Sequence, residues 1–386
     1  MRLAVSTALL AAAVLVGVGL GHLIWTSAIT QDVQRFSFPG ISSPGGPNGI
    51  TFPNFPSGGG SGAQGSGGPS NAAAIERKVN PALVDINATF NYQQASGEGT
   101  GIVLTANGEV LTNNHVIEGA TSISVVDVGN GRTYAATVVG YDATHDVAVL
   151  QLTGATGLTT AAIGDSSSAT VGESVLAIGN AGGVGGTPTS AGGAISMLGQ
   201  SVQASDALNG TSENLTGMIA VTASVQPGDS GGPLVDGSGK VLGIDTAGPA
   251  GSSFGFSTQT SGAAGYAIPV NEAVSIATTI ESGTQTSSIH VGRTAFLGVL
   301  ITTAGSGTSA SGARVANVVS GGAAAQAGIV TGDVINSING TTIGSTSSVA
   351  QALVPLHPGD SATITWTTTS GHHASASAVL QSGPSA

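Results

Sequence analysis

Apolar and polar positions alternate in short runs over most of this chain, and turns containing glycine or asparagine separate the runs. Gly101-Ile102-Val103-Leu104, Glu109-Val110-Leu111-Thr112, Ser122-Ile123-Ser124-Val125-Val126, Asp146-Val147-Ala148-Val149-Leu150 and Val175-Leu176-Ala177-Ile178 each read as a strand. Strands at this density, with turn signals every ~8–12 residues, predict a mainly β barrel or sandwich rather than βαβ units. Helical spacing is rarer. Ser70 or Asn71 can cap a short helix that reaches about Val79 and stops at Pro81. Residues 271–280 place Ala273, Val274, Ala277 and Ile280 on one face, a helix that closes the first unit.

A second β-rich unit starts near His290, after the polar run 282–288. It carries a short alanine helix stopped by Gly328, a strand ending in the Asn339-Gly340 turn, and a helix over 347–353 stopped before Pro355. At the other end, no charged residue occurs between Arg2 and Asp32, and 3–25 is almost wholly apolar. That length spans a bilayer, so residues 1–30 are read as a signal anchor, with a cleaved signal peptide as the alternative. Residues 31–70, rich in Gly, Pro and Ser, form a flexible linker, although Phe36, Phe38, Phe52 and Phe55 fall within it.

Composition narrows the function classes. Eight Lys and Arg against 20 Asp and Glu give a net charge of −12, which excludes nucleic acid and an anionic lipid surface as natural partners of the folded part. Cysteine is absent, so disulfides, thiolate metal sites and cysteine nucleophiles are excluded together. Only 7% of residues are charged and 62 are glycine, so the surface is wetted mainly by small polar side chains and the chain is rich in turns.

The candidate chemistry lies in three segments. Gly228-Asp229-Ser230-Gly231-Gly232-Pro233 flanks a serine with small residues, so a substrate carbonyl can approach the backbone. The N–H groups of Gly228 and Ser230 can converge there on an oxyanion. A serine needs a base, and His115 follows a strand in Leu111-Thr112-Asn113-Asn114-His115-Val116. Asp146 opens the apolar run Val147 to Leu150, where a carboxylate can orient an imidazole. The order His, Asp, Ser is that of the chymotrypsin-type barrels.

With these motifs the sequence resembles the trypsin/chymotrypsin clan, and within it the HtrA/DegP-like bacterial serine proteases. The resemblance implies two six-stranded β-barrels over 71–283, a triad of His115, Asp146 and Ser230 in the cleft between them, and acyl-enzyme catalysis with no metal or cofactor. The family often has Asn where this chain has Asp229. The resemblance also places Ser224 on the floor of the specificity pocket, with Thr246 and Tyr266 lining it; this implies cleavage after small or medium apolar residues rather than after Arg or Lys.

After a linker at 284–289, residues 290–382 resemble an HtrA-type PDZ domain. Phe296-Leu297-Gly298-Val299 matches its carboxylate-binding loop, which captures C-terminal peptides by strand addition. The implied activity is cleavage of unfolded or damaged proteins by an extracytoplasmic endopeptidase. It would be tethered to the membrane by the N-terminal helix, or secreted if that helix is cleaved, and a homotrimer is the family's usual assembly. The rival reading is a PDZ-dependent chaperone or envelope-stress sensor with latent protease activity.

Overall fold

A computed structural model describes residues 67–92, 95–206, 211–246, 254–256, 263–303 and 312–384. The expected apolar helix within 1–30, most of the 31–70 linker and its four phenylalanines lie outside the described residues. Among the described residues, no helix is long and apolar enough to cross a membrane.

The first six strands are β1 (Leu83–Phe90), β2 (Ala95–Val103), β3 (Glu109–Thr112), β4 (Ser122–Asp127), β5 (Thr133–Asp142) and β6 (Val147–Leu152). They run in the order β5-β4-β1-β2-β3-β6, and pairing of β5 with β6 closes them into a six-stranded barrel. Val84, Ile86, Val103, Val110, Val125 and Leu150 fill its interior. Leu83, Ile102, Leu111, Val147 and Val149 belong to a different cluster, shared with Leu176, Ile178, Ile244 and Ile268 of the second barrel. β6 is therefore apolar on both faces, because one lines the barrel and the other packs outward into that shared cluster. This explains its unbroken run Val-Ala-Val-Leu.

The second barrel is built from β7 (Ser174–Gly179), β8 (Thr189–Asp206), β9 (Thr211–Val221), β10 (Pro233–Val235), β11 (Val241–Thr246), β12 (Phe254–Phe256) and β13 (Gly265–Pro269). Six of these close in the order β8-β7-β10-β11-β13-β9, while β12 pairs outside with β8. Its interior mixes Ala177, Ala223 and Ala267 with Val221, Val225 and Leu234.

Helix α1 (Ala72–Val79) buries Ile75 and Val79 in the shared cluster. Asn71 occupies its cap position, but the side chain makes no capping bond and its Nδ2 donates instead to the Gly237 carbonyl at 3.1 Å. A tertiary partner has displaced the local cap. Next, α2 (Asn114–Ile117) is a single turn carrying His115, and α3 (Val270–Glu281) packs Val270, Ala273, Ile276, Ala277 and Ile280 on the shared cluster. The expected stripe is thus rotated slightly, with Ile276 fully packed and Val274 only partly so.

The stretch expected as the 284–289 linker ends in β14 (Ile289–Val291), which extends the first barrel's sheet by pairing with β5. The second unit's own elements follow. They are β15 (Ala295–Phe296), β16 (Val299–Thr303), β17 (Ala313–Val318), α4 (Ala323–Ala327), β18 (Val334–Ile338), β19 (Thr341–Thr342), α5 (Thr346–Leu353), β20 (Ser361–Thr367), β21 (His373–Val379) and β22 (Gln381–Ser382). The sheet runs β16-β17-β18-β20-β21, around Leu297, Val315, Ile335, Ile338, Val349, Ile364 and Trp366. Gly328 ends α4 with a φ of +88°, and Asn339 and Gly340 both take positive φ in the turn between β18 and β19. This is the type I′ turn that an Asn-Gly pair favours.

Candidate active site

His115 is held by the short turn of α2 at the end of β3, and its ring points at Asp146. The His115 Nδ1 lies 3.0 and 2.9 Å from the two Asp146 oxygens, and the His115 backbone N–H donates to Oδ1 at 2.9 Å. A carboxylate only accepts, so Nδ1 carries the hydrogen and Nε2 is left as the basic nitrogen. Asp146 is fully buried and takes a φ of +54°, one residue before β6 begins. The Asn113 Nδ2 donates to its carbonyl at 2.9 Å, and the Thr246 hydroxyl donates to Oδ2 at 2.8 Å. The carboxylate thus takes three donors, from the His115 ring, the His115 backbone and Thr246.

Ser230 comes from the turn between β9 and β10 of the second barrel. Its carbonyl accepts from the Thr100 N–H at 2.8 Å, which fixes the turn against β2. Thr100 also donates its hydroxyl to the Gly228 carbonyl at 2.7 Å and receives the Asn180 N–H at 2.9 Å. From β3, the Thr112 hydroxyl bonds the Thr100 carbonyl at 2.7 Å. Gly99 shows how close the two barrels come: a Cβ there would lie 2.6 Å from Val116, the neighbour of His115, and 3.3 Å from the Ser230 carbonyl. Gly228 and Gly231 have φ of +96° and +85°, and a Cβ on Gly231 would collide with the Thr100 carbonyl and Thr112 hydroxyl. Glycine is required at that point by both backbone and space.

The structure therefore brings the His115, Asp146 and Ser230 segments together. Of the three expected pocket residues, Thr246 and Tyr266 are paired across β11 and β13. Ser224 is exposed in the bend before the serine turn, Thr246 is committed to Asp146, and the Tyr266 ring packs in the cluster shared by the barrels. Thr246 supports the acid, a role its sequence position does not announce although it lies in the run Gly243-Ile244-Asp245-Thr246-Ala247. Thr100 gives no sequence signal at all, because a threonine inside a strand carries no motif.

In the second unit, Leu297 is buried in the core and its carbonyl accepts from the Ala324 N–H at 2.8 Å. Gly298, with φ of +80°, gives its carbonyl to the Val319 N–H at 2.9 Å. Phe296 stacks on Tyr92 of the first barrel with ring centroids 5.4 Å apart, and Val299 begins β16. Among the described residues, no three acidic or histidine side chains are grouped as a metal site.

A family model described as a trypsin-like peptidase domain matches residues 99–244, and one described as a PDZ domain matches 292–368. The serine protease PepD of Mycobacterium tuberculosis is 34% identical over 312 residues, covering 78% of this chain and 64% of that protein. The chain belongs to the HtrA/DegP-like serine proteases. The periplasmic pH-dependent serine endoprotease DegQ of Escherichia coli is a second such relative, 35% identical over 271 residues, or 69% of this chain and 56% of the relative. The chain thus spans about three fifths of the length of these curated relatives. Among solved structures, an HtrA-type protease AlgW with tripeptide aligns over 81% of this chain and 97% of its own at 30% identity, with a TM-score of 0.46.

Proposed function

We propose that this HtrA-type chain is an extracytoplasmic serine endopeptidase that cleaves unfolded or damaged proteins through His115, Asp146 and Ser230. The observation that carries the reading is the buried Asp146 carboxylate, bonded to both the ring and the backbone of His115 beside a Gly-flanked serine. The Ser230 Oγ attacks the scissile carbonyl carbon and passes its proton to His115 Nε2. Asp146 stabilises the imidazolium, while the N–H groups of Gly228 and Ser230 receive the oxyanion. The C–N bond then breaks as His115 returns the proton to the leaving amine. Water repeats the sequence on the acyl-enzyme and frees Ser230.

The PDZ unit supplies the peptide-binding function. C-terminal peptides add a strand along β16, with α5 as the other wall and the turn Phe296 to Val299 at the carboxylate end. The periplasmic relatives support an extracytoplasmic site, and the family reading adds a membrane tether at 1–30 and a homotrimer. Digestion of unfolded casein by the full chain, by Ser230→Ala and by a chain ending after Gly292 tests the reading. Removing the nucleophile of such a triad lowers turnover by about 10⁶-fold. Equal digestion by wild type and Ser230→Ala would refute the proposal, and the shortened chain shows whether the PDZ unit restrains or feeds cleavage.

A further inference from the structure

The loop between β7 and β8 reaches from the second barrel onto two side chains of the first, and the role inferred for them rests on the protease reading. Asp85 on β1 and Thr100 on β2 stand directly opposite one another in the sheet register, and they are 3% and 0% exposed. Residues so paired present their side chains on one face of the sheet. The Thr100 hydroxyl accepts the Asn180 N–H at 2.9 Å, where the loop leaves β7. At the loop's far end, Asp85 Oδ2 accepts the Gly186 N–H at 3.0 Å. Between these points the Asn180 side chain accepts the Gly185 N–H at 2.8 Å, and the Asn180 carbonyl accepts the Gly183 N–H at 2.8 Å. Two neighbours on one sheet face thus hold both ends of the loop.

The loop in turn holds the serine turn. The Gly182 N–H donates to the Pro227 carbonyl at 2.8 Å. The peptide joining Pro227 to Gly228 is trans, so the Gly228 N–H points the opposite way from that carbonyl. This N–H has no hydrogen-bond partner among the described residues. The Gly228 carbonyl accepts the Thr100 hydroxyl at 2.7 Å. The carbonyls on both sides of the Gly228 Cα are therefore tied down, and its N–H is left as the donor to spare. The fit is close, since a Cβ on Gly228 would collide with the Asn180 carbonyl.

We propose that Thr100 and Asp85 are positioning residues that keep the Gly228 N–H aligned for the oxyanion. Thr100 does so through a hydroxyl that bonds the serine turn and the loop at once, and Asp85 by fixing the loop's far end. Because that hydroxyl donates to Gly228 and accepts from Asn180, Thr100→Val leaves a buried carbonyl and a buried N–H unpaired together. The turn then shifts to find new partners, and the donor leaves the place where negative charge develops. That charge appears only in the transition state, so the loss falls on kcat and not on KM.

The test measures kcat and KM for a peptide substrate with the full chain, Thr100→Val, Thr100→Ser, Asp85→Ala and Asp85→Asn, and follows amide hydrogen exchange in each. Thr100→Val should lower kcat by about tenfold or more with KM within about twofold of wild type. Thr100→Ser keeps the hydroxyl and should recover kcat to within about threefold. Asp85→Ala should lower kcat by about fivefold or more, whereas Asp85→Asn, whose side-chain carbonyl still accepts, should stay within about threefold. In Thr100→Val and Asp85→Ala, exchange should quicken by about tenfold or more in 180–186 and 226–230, with the rest of the barrels unchanged. Unchanged kcat in Thr100→Val, a raised KM at constant kcat, or a loss that Thr100→Ser does not restore overturns the proposal. If Thr100→Val does not fold, Asp85→Ala against Asp85→Asn makes the same comparison, and equal kcat in the two refutes it. If the wild type cleaves nothing, the protease reading fails and exchange alone judges the anchoring: quickening confined to those two segments upholds it, and unchanged or uniformly faster exchange refutes it.

Discussion

Asp146 adopts a left-handed backbone conformation that costs a non-glycine residue roughly 1–2 kcal/mol, and the three donors it collects explain why the fold tolerates it. Thr246→Val removes one of them without changing shape. A buried carboxylate deprived of a donor forfeits about 1–3 kcal/mol, so kcat should drop by about tenfold with KM little changed. An unaltered kcat would show that His115 is oriented without Thr246. Gly231→Ala strikes the same network sterically, and both turnover and refolding yield should collapse, since neither Thr100 nor the backbone can yield. That the His115, Asp146 and Ser230 segments meet was legible because their neighbours form motifs. The part Thr100 plays in joining them was not, because it comes from burial and partners that a strand sequence does not display.

Among the elements, the strands with unbroken apolar runs were the legible ones. β3 has the bounds its pattern predicted, and β6 starts one residue after Asp146. The long β8–β9 hairpin was invisible, because its register shifts three times between Ile195 and Val202 and interrupts the two-residue period. β14 was hidden in a Ser- and Thr-rich stretch that reads as linker. Its junction holds an acid–base pair: His145 Nδ1 lies 2.8 Å from Asp142, which also accepts from the Ser288 hydroxyl at 2.9 Å. Burial pushes the Asp142 carboxyl up, but its bonds to His145 and Ser288 outweigh that and hold it below its ordinary value. The bond to Asp142 raises His145. Asp142 thus stabilises above about pH 4 and loses its contribution on acidification, while His145 stabilises below about pH 6.5 and loses its contribution as pH rises through its folded value. The difference in stability between wild type and His145→Gln should therefore peak between those limits; a pH-independent difference would contradict the pairing.

At the scale of the molecule, ring contacts and hydrogen bonds join the PDZ unit to the first barrel, and the His290 and His357 rings lie 5.1 Å apart across that junction. His290 of β14 is fully buried, with its Nδ1 2.6 Å from the Val354 carbonyl at the end of α5 and its ring 5.2 Å from Tyr141. Tyr92 stacks on Phe296 of β15. His290→Ala removes one of the two side-chain partners of the Val354 carbonyl, the other being Gln285 Nε2 at 3.2 Å, and opens a cavity, so the PDZ unit should lose about 1–3 kcal/mol of stability. Phe296→Ala should cost about 0.5–1.5 kcal/mol. Denaturant unfolding followed by hydrogen exchange checks both; loss of protection confined to 295–382 is the expected pattern, and a uniform loss would mean that the seam is not where the units are joined.

Whether Ser230 is a nucleophile activated by His115 is read out by covalent trapping. The full chain is treated with a fluorophosphonate, which phosphonylates an activated serine, and the adduct is located by peptide mass spectrometry. One adduct is expected, on Ser230, and it should disappear in His115→Ala. No adduct, one on another serine, or equal labelling of His115→Ala would contradict the triad.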